Sequence, residues 1–207
     1  MPKRKRTYNS FFDIKPIEAT DVIVYQNHEI GNPFIMKLKV PLYSERFNDD
    51  HRHYTKSNIN VCYSAPRSEK APRNWYETQL TVSKYERLKP GYPLKGVSFY
   101  VVTDDGFGFM AHTTSDNNKQ FAAVNDELIL GKWIKTRLVD QGLVEPIIDT
   151  SKDVERKGMI TAEMLNEYGC NAIAFQKTDQ TIADPENLKN VYEVWTLKMV
   201  QIDSDDE

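Results

Sequence analysis

Ser98-Phe-Tyr-Val-Val-Thr103-Asp-Asp-Gly106-Phe-Gly-Phe-Met-Ala-His-Thr113 consists of two apolar runs, rich in β-branched and aromatic residues, joined by Asp-Asp-Gly. Such side chains favour a pleated strand, and Asp-Gly supplies the positive-φ residue that a tight hairpin turn needs. The stretch predicts an antiparallel hairpin with strands over 98–103 and 108–113. Similar runs lie on either side of it. Asp21-Val-Ile-Val-Tyr25 reads as a strand, Phe34–Tyr43 alternates from Ile35 onward, Tyr76–Ser83 alternates, and Ala172–Thr178 and Val191–Val200 close the chain as strands. Helical spacing appears twice. In Asp126–Leu138 it sets Leu130, Ile134 and Leu138 on one face, with Asp126 in a capping position and Gly142 beyond the end; Thr161–Gly169 is shorter, with Thr161 as N-cap and Gly169 at the C-cap. Seven or eight short strands in meander order around two short helices predict a mainly β chain closed into a small barrel.

The length of 207 residues fits one large domain, or one domain with an extended arm. A formal charge of −3 and a pI near 5.9 do not suggest a partner for nucleic acid, but the total conceals a polarity. Residues 138–207 hold 15 acidic and 6 basic side chains, while residues 1–137 hold 15 acidic and 21 basic ones. The basic excess peaks from His51 to Arg73, where five Arg and Lys residues face the single acid Glu69. Such a distribution orients a protein on a polyanion, one end attracted and the other repelled. Cys62 and Cys170 stand far apart, with no metal-ligand spacing, so neither a disulfide framework nor a zinc site is indicated and a reducing cytoplasm is expected. No apolar run approaches the ~20 residues of a membrane span, and the N-terminus lacks the apolar core of a signal peptide. Pro2-Lys-Arg-Lys-Arg6 reads as a flexible basic tail.

Residues 44–74 show no period and few aliphatics. A segment of about 30 residues exceeds the ordinary connection in a compact domain and marks a functional loop or extended hairpin. It is rich in side chains that read DNA: Arg offers a planar donor fork to guanine, Asn pairs with an adenine edge, and Lys meets phosphate as a point charge. The candidates here are Lys56, Ser57, Asn58, Asn60, Arg67, Lys70, Arg73, Asn74 and Trp75. A second polar stretch follows the 98–113 hairpin, with Thr114, Ser115, Asp116, Asn117, Asn118, Lys119 and Gln120 as candidates; Asp116 is suited to accept from cytosine. Each set has an ordinary reading as well. The Asn residues suit turns, Trp75 at a strand start suits the core, and a solvated loop has the composition of 114–120. Lys132 and Lys135 are expected on the polar side of their helix, where they serve solubility or touch phosphate, and Trp133 in the core.

Taken in order, Lys56-Ser-Asn-Ile-Asn60, the Arg67–Trp75 stretch, Phe99-Tyr-Val-Val-Thr-Asp-Asp-Gly106, Leu130-Gly-Lys-Trp-Ile-Lys135 and Tyr168-Gly-Cys-Asn-Ala-Ile-Ala-Phe175 resemble the C-terminal domain of restriction endonucleases of the NgoFVII and BfiI kind. That domain is similar to the B3 DNA-binding pseudobarrel of plant transcription factors and of the EcoRII effector domain. The likeness spans roughly residues 34–200, and departs from the family's more usual Ser-Gly-Leu-Asn-Trp at Ser57-Asn-Ile-Asn-Val61. It implies a seven-stranded pseudobarrel over 34–200, with 1–33 as a tail, linker or extension and 201–207 as an acidic disordered tail. It also implies a wrench-like clamp in which an N-terminal arm within 44–76 and a C-terminal arm at 113–120 enter the major groove of double-stranded DNA. The nuclease would then lie in another domain or subunit, with no catalytic residue, metal or cofactor in this chain and no membrane partner. Phospholipase-D-type cleavage requires His-x-Lys, and none of His28, His51, His53 and His112 has Lys two places on. Two alternatives stay open: a metal-dependent endonuclease using Asp49, Asp50 and His53, and a protein-interaction domain using the basic arm.

Overall fold

The computed structural model describes residues 13–47, 57–64 and 72–203. The described residues form eight strands: β1 (Lys15–Pro16), β2 (Phe34–Lys37), β3 (Leu80–Thr81), β4 (Ser98–Thr103), β5 (Phe107–Thr114), β6 (Gln120–Ala123), β7 (Ala172–Asp184) and β8 (Asn187–Val200). Four helices accompany them: α1 (Ala19–Asn27), α2 (Lys84–Arg87), α3 (Ile129–Asp140) and α4 (Ala162–Tyr168). The β4–β5 hairpin forms as read, with Phe99 opposite Ala111 and Val101 opposite Phe109. Gly106 occupies its turn at φ 88°, a conformation that a side chain disfavours.

Seven strands run in the order β2-β7-β8-β4-β5-β6-β3, with β1 added beside β5. All neighbours are antiparallel except β4 and β8. The sheet is strongly curled: Phe121 of β6 stacks on Phe175 of β7 at 5.2 Å between ring centroids, although β5, β4 and β8 separate those two strands in the sheet. Only a half-barrel brings such strands face to face. Its interior holds Phe34, Phe99, Phe109, Phe121, Phe175, Trp195 and Leu197, and its open side is filled by Ile129, Trp133, Ile134 and Leu138 of α3 and Leu165 of α4. Each such burial contributes ~1.5–3 kcal/mol, so this interior dominates the stability. The alternate residues Tyr100, Val102, Met110 and Val194 face outward, where Val22 of α1 covers them. With cover on both faces, five of the six positions of β4 are buried.

The structure corrects several expectations. Asp21–Tyr25 is not a strand but the middle of α1. Val22 and Tyr25, three residues apart, pack on the sheet while Ile23 and Val24 stay exposed, so tertiary packing at helical spacing overrides β propensity. The Tyr76–Ser83 strand shrinks to Leu80–Thr81, because Asn74 folds the chain into a turn: its side-chain oxygen accepts from Tyr76 N at 2.9 Å and its carbonyl from Glu77 N at 2.9 Å. Only Phe34–Lys37 of the 34–43 run is regular strand. β6, the single turn α2 and the continuous β7–β8 ribbon across 179–190 were not foreseen. The described part of the N-terminal stretch is joined to the barrel, β1 pairing with β5 and α1 lying over the outer sheet face. Pro2–Arg6 and residues 204–207 lie outside the described residues.

Candidate nucleic-acid interface

The connection between β2 and β3 contains the expected N-arm, and the described residues at its root are largely buried polar ones. Asn58 accepts from Lys39 N at 2.9 Å and donates to Lys37 O at 3.1 Å, and its carbonyl accepts from Gln79 N at 2.9 Å. It thereby splices the two ends of the arm. Asn60, fully buried, imitates a strand partner, donating to Ile160 O at 2.7 Å and accepting from Ile160 N at 3.0 Å. The buried Ser57 hydroxyl accepts from Asn60 N at 3.1 Å, and the Trp75 indole donates to Gly158 O at 2.7 Å. Ser57, Asn58, Asn60 and Trp75, expected at the DNA, instead face inward in this structure and hold the arm in place. The reason is the desolvation cost of leaving loop backbone unpaired, which these side chains remove. Asn74 is exposed but caps its own turn. Lys56, Arg67 and Lys70, like Asp49, Asp50 and His53, lie outside the described residues.

Beneath this root lies Lys135, fully buried rather than on a polar helix face. Its ammonium donates to Trp75 O, lies 3.8 Å from Cys62 Sγ and stands 5.0 Å from the centre of the Trp75 ring. Burial pushes the Lys135 pKa down and the Cys62 thiol up. The helix is sandwiched, with barrel on one face and arm on the other. At Gly131 the backbones approach so closely that a Cβ would lie 1.7 Å from Tyr76 O. Arg73 is drawn into the same layer, pairing with the buried Glu77 at 2.6 Å. Tyr63 donates to Asp153 at 2.5 Å. Burial raises the pKa of Asp153, but hydrogen bonds from the Tyr63 hydroxyl and the Gly158 and Lys157 amides outweigh it and hold the carboxyl below its usual range.

The C-arm, the β5–β6 turn, presents its side chains outward. Ser115, Asp116, Asn117 and Lys119 are exposed, and Thr114, Asn118 and Gln120 are half-buried. Ser115, Asn117 and Asn118 have φ of 67°, 58° and 64°, a left-handed conformation that costs about 1 kcal/mol or more each outside glycine. The surroundings enforce it. Arg87 donates to Asn117 O, Tyr92 donates to Asn118 O at 2.8 Å, and Asn118 donates to Pro93 O at 3.1 Å. On the tip itself, Ser115 donates to Gln120 Oε1 at 2.6 Å. Burial, tempered by Arg87, pushes the Tyr92 phenol up to about 12, so it remains a donor throughout the physiological range.

Beside the β5–β6 ladder lies an open groove of about 400 Å³. Thr78 and Gln79 line it from the chain just before β3, His112, Thr114 and Gln120 from β5 and β6, and Asn125 and Glu127 from the chain leading into α3. His112 faces Ala122 and Thr114 faces Gln120 across the β5–β6 ladder, on the face turned away from the aromatic core. Sequence reasoning missed Thr78, Gln79, His112, Asn125 and Glu127 as groove-lining residues. Strand alternation was the available signal at His112, since it occupies the outward position between the buried Ala111 and Thr113. Among the described residues no three His, Cys, Asp or Glu side chains come together as a metal site, and no helix is long and apolar enough to cross a membrane.

The family model described as the NgoFVII C-terminal B3-like DNA-binding domain matches residues 26–168, more than half of the chain. The match includes both arms, the groove and α3; β7 and β8 lie beyond it but belong to the same sheet. No curated protein matches the chain.

Proposed function

This chain belongs to the NgoFVII C-terminal B3-like DNA-binding domain family, a family of restriction-enzyme DNA-binding domains, and from that premise we propose that it selects a short duplex sequence through its two arms. The observation that carries this reading is the β5–β6 turn, whose exposed Ser115, Asp116, Asn117 and Lys119 are backed by hydrogen bonds from Arg87 and Tyr92 to its tip. The C-arm enters the major groove, where Asp116 accepts from cytosine N4 and Asn117 pairs with an adenine edge. Ser115 and Lys119 add base and phosphate contacts, and Thr114 and Gln120 extend the reading surface along the groove floor. From the N-arm, Lys56, Arg67 and Lys70 supply guanine and phosphate contacts.

The division of labour follows from the chemistry. Lysine attracts phosphate regardless of sequence, so it sets affinity and its salt dependence. Asp116 repels phosphate and is tolerable near DNA only where a base donor meets it, so it contributes discrimination rather than affinity. In this reading the chain is non-catalytic and acts in a bacterial cytoplasm, with cleavage supplied by a nuclease domain or subunit outside it. Selection from a randomised duplex library at ~0.15 M salt, where long-range attraction is largely screened, tests the proposal. Enrichment of one short motif is the expected result. Binding that fades with salt and enriches nothing would refute it.

A further inference from the structure

We propose that α2 and the loop after it, residues 84–95, form a third contact with DNA that grips the phosphates flanking the bases read by the arms. The inference rests on the two-arm reading and adds to it a surface that neither arm contains. Between Leu80 and Thr103 the only acid is Glu86, against Lys84, Arg87, Lys89 and Lys95. Glu86 is already engaged, since its carboxylate accepts from Ser83 N at 3.1 Å while Ser83 Oγ accepts from Glu86 N at 3.2 Å. Its charge is further offset by Lys89 and by Lys39, which reaches it from the root of the N-arm.

What remains is an excess of cations on this segment. Lys84, Lys89 and Lys95 are exposed, and of the three only Lys89 acts on the Glu86 charge. Lys89 stands 5.3 Å from the centre of the exposed Tyr85 ring, a cation–π contact at the surface. The segment is fixed to the C-arm by the bonds from Arg87 to Asn117 O and from Tyr92 to Asn118 O. When that tip enters a groove, the lysines beside it are carried to the bordering backbone. Mobile ammonium groups at an exposed edge suit phosphate and carry no sequence preference.

The test substitutes Lys84→Ala, Lys89→Ala and Lys95→Ala together, all at exposed positions, and follows binding by anisotropy across a salt series on the selected duplex and on a scrambled one. Affinity should fall equally on both, with the base preference unchanged. The slope of log K against log salt should flatten by up to about 2.7, three phosphates at ~0.9 each. Trimming the flanking base pairs should weaken the unsubstituted protein and leave the triple variant unaffected. An unchanged slope and unchanged flank dependence overturn the ridge alone, and an altered base preference overturns its role as a phosphate contact. If the unsubstituted protein binds duplex but selects no motif, the two-arm reading fails and the slope still decides the ridge; if it binds no duplex, both fail.

Discussion

The two arms both carry Ser, Asn and Lys side chains but have opposite construction. In the described part of the N-arm, Ser57, Asn58, Asn60 and Trp75 point inward and tie the root to β2 and to the 158–160 loop. In the C-arm, Ser115, Asp116, Asn117 and Lys119 point outward, and the tie-rods come from a different segment, Arg87 and Tyr92. A long connection has many backbone groups to satisfy and recruits its own Asn side chains for the task. A short turn on a two-stranded ladder keeps most of its side chains for the solvent or a ligand. The same residue type is therefore a strut in one arm and a candidate reader in the other.

The largest effect is expected where the N-arm root holds charge. Arg73→Ala removes the 2.6 Å ion-pair partner of Glu77, which is buried at 5% exposure, and should cost about 3 kcal/mol of stability, read as a lowered denaturant midpoint. A relaxed preference at one base pair with stability intact would return Arg73 to the readers. Next, Asn60→Ala leaves both polar groups of Ile160 without partners in the interior and should cost about 2 kcal/mol. The motif recovered from a library should not change, because Asn60 is inside; a changed motif would break the contrast between struts and readers.

On the C-arm side the comparison predicts the reverse pattern. Asp116→Ala should leave the melting temperature nearly unchanged and lower discrimination at one position by ~1–3 kcal/mol, read from competition between single-base variants of the selected duplex. Acid should distinguish the arms as well. The folded pKa of Asp153 is depressed, so its stabilisation is complete above the unfolded value of about 3.9 and is lost as pH falls through the lower folded value. Amide exchange at residues 60–63 should accelerate over that window in the native chain. In Asp153→Asn, which does not titrate, the acid-dependent step at those amides should vanish.

Much of the fold was legible because its decisive elements carry local signals. The β4–β5 hairpin is fixed by two runs rich in β-branched and aromatic residues and by Gly106, α3 by the spacing of Leu130, Ile134 and Leu138, and α4 by Gly169 at φ 83°. α1 was hidden, because Val22, Ile23 and Val24 carry strand propensity and only the outer sheet face, absent from any local window, makes them helical. The candidate site was legible as two segments but not as orientations. Nothing in Ser57-Asn-Ile-Asn60 says that Ile160 lies opposite, a hundred residues on. Lys135 sits at a polar position of its helix by spacing, and it is buried because the N-arm closes over that face.

The smallest expected effect is the most diagnostic of the arms' difference. Tyr92→Phe removes one hydroxyl, whose hydrogen bond to Asn118 O contributes about 1 kcal/mol, and leaves the aromatic packing on Phe34 in place. If the three left-handed residues of the tip are held for recognition, this loss of support should appear mainly as weaker discrimination at the base pairs read by Asp116 and Asn117, and only slightly in the melting temperature. Affinity for scrambled duplex should be unchanged, because phosphate contacts do not depend on the angle at which the tip presents its side chains. Equal weakening on every sequence would mean that the tip is strained for folding alone, and the C-arm would then resemble the N-arm root in purpose as well as composition.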